Sequence, residues 1–206
     1  MEYTDREKAL LKEISDRMIT DPIETEKALL RPFRESDRAD YLEYISQPEL
    51  RRLAGENCNT EQEMNETFDW ILSLPVVTHF AIELKETGRA AGNFSIGIYP
   101  FIKDNSDFDG KRGVSLSFVL NEKYQRKGIM TEILSEAIDY YLGRMWLDFV
   151  NAGYFEFNEG SRRLQEKCGM KHWMHHTFEF QGQEIKTCEM ILWREDYLCA
   201  RSKQQG

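Results

Sequence analysis

The sequence predicts a mixed α/β (α+β) fold built as a mostly antiparallel central sheet flanked by helices. Three observations carry this. Amphipathic helical segments dominate the first third, short strand-like segments separated by turn residues fill 79–120, and one apolar-faced helix at 128–142 divides these strands from a later group. With 206 residues, 41% of them hydrophobic and 12% aromatic, the chain can bury one well-filled core. No internal repeat or low-complexity linker divides it.

Each element follows from its local pattern. Residues 5–18 place Leu10, Leu11, Ile14 and Met18 at helical spacing among charges. A short apolar segment, Ala28 to Leu30, ends near Pro32 and reads as a strand; Ser36 and Asp37 then cap a helix carrying Tyr41, Leu42 and Ile45. Thr60 with Glu63 makes a capping-box pattern, and Met64, Thr67, Phe68 and Ile71 recur on one face, which predicts a helix over 60–72. Strands are expected at 79–84, 91–99 and 114–120. The helix at 128–142 carries Ile129, Ile133, Leu134, Ala137, Ile138 and Tyr141 at 3.6-residue spacing. Strand texture returns at 146–157, a short helix at 161–167 is stopped by Gly169, and 173–180 with 185–193 read as a hairpin around Gly182. The expected organisation is an N-terminal helical extension over 1–22, one domain over 23–200, and a disordered tail over 201–206.

Composition limits the function classes. Twenty-seven basic against 36 acidic residues give a net charge of −9, which disfavours a direct nucleic-acid footprint and suits cationic or amine-bearing partners. No apolar run is long enough to span a bilayer, and the charged first residues are unlike a secretory signal, so we read the chain as cytoplasmic and free of the membrane. Cys58, Cys168, Cys188 and Cys199 form no C-x-x-C pair, so reduced thiols are expected.

The richest chemistry lies where the strand ending Phe118-Val119-Leu120 enters the 128–142 helix through Gln125-Arg126-Lys127-Gly128-Ile129-Met130-Thr131. A basic, glycine-containing turn at a helix start leaves backbone N–H groups unpaired and aimed at one spot, at the positive end of the helix dipole, where phosphate oxygens are stabilised. By residue type alone, such a turn suits any phosphate ligand, a nucleotide included, or is simply a turn.

Gln125-Arg126-Lys127-Gly128-Ile129-Met130 resembles the Q/R-x-x-G-x-G/A acetyl-CoA signature of the GNAT family of N-acetyltransferases. Downstream, Asn158-Glu159-Gly160-Ser161 and Glu166-Lys167-Cys168-Gly169-Met170 resemble that family's N-x-x-S and E-K-x-G-F segments. Leu30-Arg31-Pro32 is similar to the opening strand of the subgroup containing ribosomal-protein N-terminal acetyltransferases. The resemblance implies a sheet of about six to seven strands, with acetyl-CoA as co-substrate wedged between the fourth and fifth. Its pantetheine would meet the backbone of Phe118, Val119 and Leu120, and its pyrophosphate the turn from Gln125 through Arg126, Lys127, Gly128, Ile129 and Met130 to Thr131. It implies further that Asn158 contacts the cofactor, that Ser161 protonates the departing thiolate, and that a backbone N–H near Val119 holds the oxyanion.

Two positions depart from that pattern. Met130 replaces a small residue, and Ser115 stands where many relatives carry a strand glutamate that takes the amine's proton. Glu83 or Glu156 is a candidate substitute base, acting through water, beside the commoner reading of each as a solvated strand carboxylate. An α-amine, with a pKa of roughly 7.7 to 8.0 against roughly 10.4 for lysine, needs less help to lose its proton. A peptide or protein N-terminus is therefore the favoured acceptor, with polyamine or aminoglycoside amines as the alternative. A non-catalytic acyl-CoA-binding module and an unrelated nucleotide-binding domain are the competing classes.

Other signals read as structural. The acidic run from Asp104 to Gly110 lacks a calcium loop's final glutamate, since that position falls on Leu116. Along a strand, His172 and His176 face one side and His175 the other, so with Cys168 they do not converge, and no metal is expected. Phe68 and Trp70 are candidates for an acceptor groove. The Leu10, Ile14 and Met18 face packs on its own domain or, as the lesser option, makes a homodimer contact.

Overall fold

The computed structural model describes residues 3–55, 58–98, 102, 105–180 and 182–204. Helix α1 (Asp5–Thr20) opens with a capping box between Thr4 and Glu7, and its Leu11, Ile14 and Met18 stripe is buried in the principal core. Strand β1 (Ala28–Pro32) follows, then α2 (Arg38–Ile45), α3 (Pro48–Ala54) and α4 (Glu61–Ser73). The Thr60 and Glu63 capping box expected at the start of α4 is present in both directions. Beyond come β2 (His79–Leu84), β3 (Ala90–Gly97), β4 (Gly113–Leu120) and α5 (Ile129–Ile138). The chain closes with β5 (Phe149–Phe155), α6 (Glu159–Lys167), β6 (Lys171–Phe180), β7 (Gln183–Trp193) and α7 (Arg194–Gln204).

The strands form one seven-stranded sheet in the order β1-β2-β3-β4-β5-β7-β6, with every neighbouring pair antiparallel except β4 and β5, which run parallel. This is the mostly antiparallel mixed sheet expected, with the parallel pair joined by the α5 crossover. One face carries the alternate residues Leu30, Phe80, Phe94, Leu116, Val150 and Met190, packed under α1 and α5. The opposite face is covered near β1 to β4 by Tyr41 and Tyr44 of α2 and Met64 and Phe68 of α4. On that face Arg31 is held in the sheet by a bidentate pair with Asp37, 2.6 and 2.9 Å, and by Glu83. Among the described residues no helix is long and apolar enough to cross a membrane.

Several segments depart from expectation for local physical reasons. The strand expected from 146 begins at Phe149, because α5 ends in a π-helical turn (Asp139–Arg144) and Trp146 has φ +58°. Residues 201–204, expected in a disordered tail, complete α7, where Tyr197 is buried and Arg201 bonds Asp139. Residues 205–206 of that tail, Asp104 of the acidic run and Gln181 of the hairpin turn lie outside the described residues. A register shift between His172 and Met174 breaks the alternation of β6. The rings of His172 and His175 therefore meet, at 4.3 Å, while His176 turns to the other face.

Candidate functional site

Strands β4 and β5 pair only from Gly113 with Phe149 to Leu116 with Ala152. Beyond that point they part, and the edge of β4 from Ser117 to Leu120 faces open space on the β5 side. The bond from Asn121 N–H to Ala91 C=O sets the alternation of the β3–β4 ladder. Val119 is thereby turned toward β3, and a Cβ on Gly92 would sit 2.1 Å from its carbonyl. The N–H groups of Phe118 and Leu120 face the gap instead. Gln125, just past the strand, steadies this edge by donating from Nε2 to the Leu120 carbonyl at 2.9 Å.

The gap opens into a cleft of about 560 Å³ whose floor is the start of α5. No side chain caps this helix; its N-cap is Gly128, at φ +81°, and the first intrahelical bond runs from Glu132 N–H to Gly128 C=O. The N–H groups of Ile129, Met130 and Thr131 come before that bond, so the helix leaves them for a ligand or water. Arg126 also has positive φ, +58°. Two left-handed residues within three positions curl the turn so that successive N–H groups converge, the geometry that holds anions. Glu132 in the first turn would oppose an anion there, but its carboxylate is paired with Lys27.

The facing wall is α6 and the residue before it. The Asn158 side chain accepts from Ser161 N–H at 3.1 Å and donates to the Leu53 carbonyl, tying α6 to α3. Buried Gln165 donates from Nε2 to Ser161 Oγ at 2.9 Å. Because that oxygen accepts there, its own proton is left to donate toward the cleft. Arg126, Arg163 and Lys167 also line the cleft, so its wall carries cations although the whole chain is acidic.

The structure thus brings Phe118, Val119, Leu120, Gln125, Arg126, Gly128, Ile129, Met130, Thr131, Asn158 and Ser161 to one cleft. Lys127 is not on its wall; its Nζ lies 5.5 Å from the Tyr124 ring centroid. Glu83 is not brought there either: it sits on β2 with its carboxylate held by Arg31. Phe68 is fully buried, whereas Trp70 of the same helix is exposed and, with Cys58, Glu63, Glu66 and Thr67, lines a second cavity. Sequence reasoning missed α3, whose Leu50, Arg52 and Leu53 close the cleft from above. The available signal was Pro48 at the first helical position with Gly55 as a left-handed stop. It also passed over Glu189 of β7, 2% exposed, whose carboxyl is raised to about 7 by burial against the opposing hydrogen bond from Asn151.

Residues 27–171 match the model of the acetyltransferase (GNAT) domain. An acetyltransferase of that family from Bacillus anthracis superposes with a TM-score of 0.71 at 20% identity, covering 84% of this chain and 98% of the other. A spermidine N-acetyltransferase from Vibrio cholerae, solved with CoA and spermine, gives 0.65 at 17% identity over 84% and 99%. A ribosomal-protein-S5-alanine acetyltransferase from Vibrio fischeri gives 0.59 at 17% over 84% and 97%. No curated protein sequence matches.

Proposed function

The chain belongs to the GNAT acetyltransferase family, and from that premise we propose that it is an N-acetyltransferase that moves an acetyl group from acetyl-CoA to a primary amine, with a peptide or protein N-terminal α-amine as the favoured acceptor. The observation that carries this reading is the uncapped, left-handed turn Arg126 to Gly128 opening onto the parted β4 and β5 strands, with Asn158 and Ser161 on the facing wall. The turn supplies the N–H groups of Ile129, Met130 and Thr131 to the pyrophosphate, and Arg126, Arg163 and Lys167 supply charge. Leu120 and Phe118 offer their backbone to the pantetheine amides, and one of their N–H groups receives the developing oxyanion, worth about 3 kcal/mol if preorganised. Ser161 gives its proton to the departing sulfur. Gln165 donates to that hydroxyl, and Asn158 holds the Ser161 backbone N–H.

An α-amine is favoured because Ser115 leaves β4 without a carboxylate to take the proton, and an amine of roughly pKa 7.7 to 8.0 is partly neutral at physiological pH. A small polyamine is the second reading, supported by the acidic, aromatic cavity of Glu63, Glu66 and Trp70. Calorimetric titration with acetyl-CoA, followed by thiol release in the presence of peptides with free N-termini, spermidine and an aminoglycoside, tests both. Binding with release to peptides supports the first reading, and release to spermidine alone supports the second. Binding without release to any amine makes the protein a non-catalytic module, and no binding refutes the reading.

A further inference from the structure

On the face of the sheet opposite α1 and α5, the strand registers align one row of residues across the parted strands. His79 pairs with Ser95 and Ser95 with Ser117; after the gap, Gly153 pairs with Glu189. Ser117 and Gly153 are the first residues beyond the last β4–β5 pair, and both are exposed. The row therefore crosses the gap at its apex. Glu189 lies over Gly153 so closely that a Cβ there would be 2.5 Å from Oε1. A side chain at 153 would displace this carboxyl from its place against the first β5 residue past the parting of the strands.

The carboxyl is also aimed. Ser115 Oγ donates to Asn151 Oδ1 at 2.7 Å, which fixes the amide so that Nδ2 faces Glu189 Oε2 at 3.3 Å. One oxygen is held and the other, Oε1, lies at Gly153. Ser115, Asn151 and Glu189 are all nine-tenths or more buried, and a hydrogen-bonded polar chain in such surroundings is costly unless it serves a purpose.

Resting on the transferase reading above, we infer that Glu189 of β7 is the general base of this enzyme, occupying from a different strand the role that Ser115 cannot fill on β4. An acceptor ammonium at the gap between Ser117 and Gly153 passes one proton to Glu189 Oε1, directly or through one water. The freed lone pair attacks the thioester carbonyl carbon, and the C=O electron pair moves onto oxygen. Collapse breaks the C–S bond, whose electrons leave with sulfur. The nitrogen's second proton passes through water to Ser161 Oγ, replacing the one Ser161 gives to sulfur, and Glu189 returns its proton to solvent, one proton being released per amide formed.

The surroundings tune this group to the task. From β5 it meets Asn151 and Gly153, from behind them Ser115 of β4, and from β6 Met174 and His176, whose Nδ1 is 3.7 Å from Oε1. Among the described residues His176 is the titratable side chain facing it, and burial pushes that ring below its ordinary value. Burial then leaves the carboxyl near 7, which suits a base working at neutral pH.

The test is the pH profile of kcat/KM for wild type, Glu189→Gln and Glu189→Asp, with acetyl-CoA affinity measured in each preparation. Wild type is expected to gain activity through about pH 7, while Glu189→Gln binds acetyl-CoA unchanged, loses about 100-fold in kcat/KM at pH 8 and loses the rise. Glu189→Asp, which keeps a carboxylate set back by one methylene, is expected to retain the rise at reduced rate. Gly153→Ala, which displaces Oε1 and leaves Glu189 intact, is the second route should Glu189→Gln not fold, and is expected to lower kcat without altering acetyl-CoA affinity. Wild-type kcat/KM with an unaltered rise in Glu189→Gln, or wild-type kcat in Gly153→Ala, overturns the role of Glu189 alone. A wild-type protein that binds acetyl-CoA yet acetylates none of the amines overturns the transferase reading, and the base with it.

Discussion

Replacing Gly128 by alanine separates the two things this residue does. At φ +81° the added Cβ would meet nothing nearer than Lys27 Nζ at 3.7 Å and Glu132 Oε1 at 3.9 Å, which is ordinary contact. The cost is therefore conformational: a left-handed backbone disfavours an L side chain by about 1–2 kcal/mol. Gly88, at φ +68° with nothing within 4 Å, offers the same strain far from the cleft. Both Gly128→Ala and Gly88→Ala are expected to lower Tm, by about 2–4 °C for each kcal/mol in a chain of this size. Only Gly128→Ala is expected to lose acetyl-CoA affinity, because relieving its strain rotates the N–H groups at the start of α5. Losing one hydrogen bond to a charged phosphate costs about 1.5–3 kcal/mol, roughly 10-fold to 100-fold in Kd. Differential scanning fluorimetry reads the first effect and calorimetric titration the second. Equal Kd values for Gly128→Ala and Gly88→Ala would refute the placement of the phosphate turn, and an unchanged Tm in both would refute the strain argument.

Three further outcomes follow from named contacts. Ser161→Ala is expected to slow turnover by about 100-fold while leaving acetyl-CoA affinity intact; unchanged turnover in a thiol-release assay removes Ser161 from the mechanism. Asp37→Ala removes the bidentate partner of the buried Arg31 guanidinium, leaving it Glu83, and is expected to cost up to about 3–5 kcal/mol in urea denaturation at pH 7. Burial raises the Asp37 carboxyl, but the hydrogen bonds from Arg31 and from Arg34 N–H outweigh it and hold it below its ordinary 3.8. Its contribution is thus full above that value and lost as pH falls through the folded one, so wild type and Asp37→Ala should converge in acid. For Glu189 the sign is reversed: burial raises the folded value to about 7 from 4.5, so the folded state holds a proton that the unfolded state has released. Stability is expected to decline by up to about 3 kcal/mol as pH rises from 4.5 through 7, and Glu189→Gln should abolish the decline. Parallel stability curves for the two proteins would show that Glu189 is not poised there.

Much of the cleft was legible because its parts are local. The turn from Gln125 to Thr131, the Asn158 and Ser161 pair three residues apart, and the apolar period of α5 each depend on neighbours along the chain. The Thr60 and Glu63 capping box is of the same kind. What escaped depends on partners far away. Glu83 and Glu189 look alike in sequence, each a carboxylate within an apolar strand. Arg31, 52 residues away, takes the first, and Gly153 with Asn151, 36 and 38 residues away, bury and aim the second. The expected pairing of His172 with His176 on one face of β6 likewise failed, because one register shift against β7 put His172 beside His175 instead.

The sequence by itself determined the order of the strands, most of the helices and the glycine turn before α5, since periodicity, caps and a glycine that tolerates left-handed φ act within a few residues. Tertiary structure alone decided where β4 leaves β5, which backbone N–H groups face the resulting gap, and which carboxyl stands beside it. Those outcomes are set by strand register and burial, which arise only when segments distant in the chain compete for the same hydrogen bonds and the same dry space.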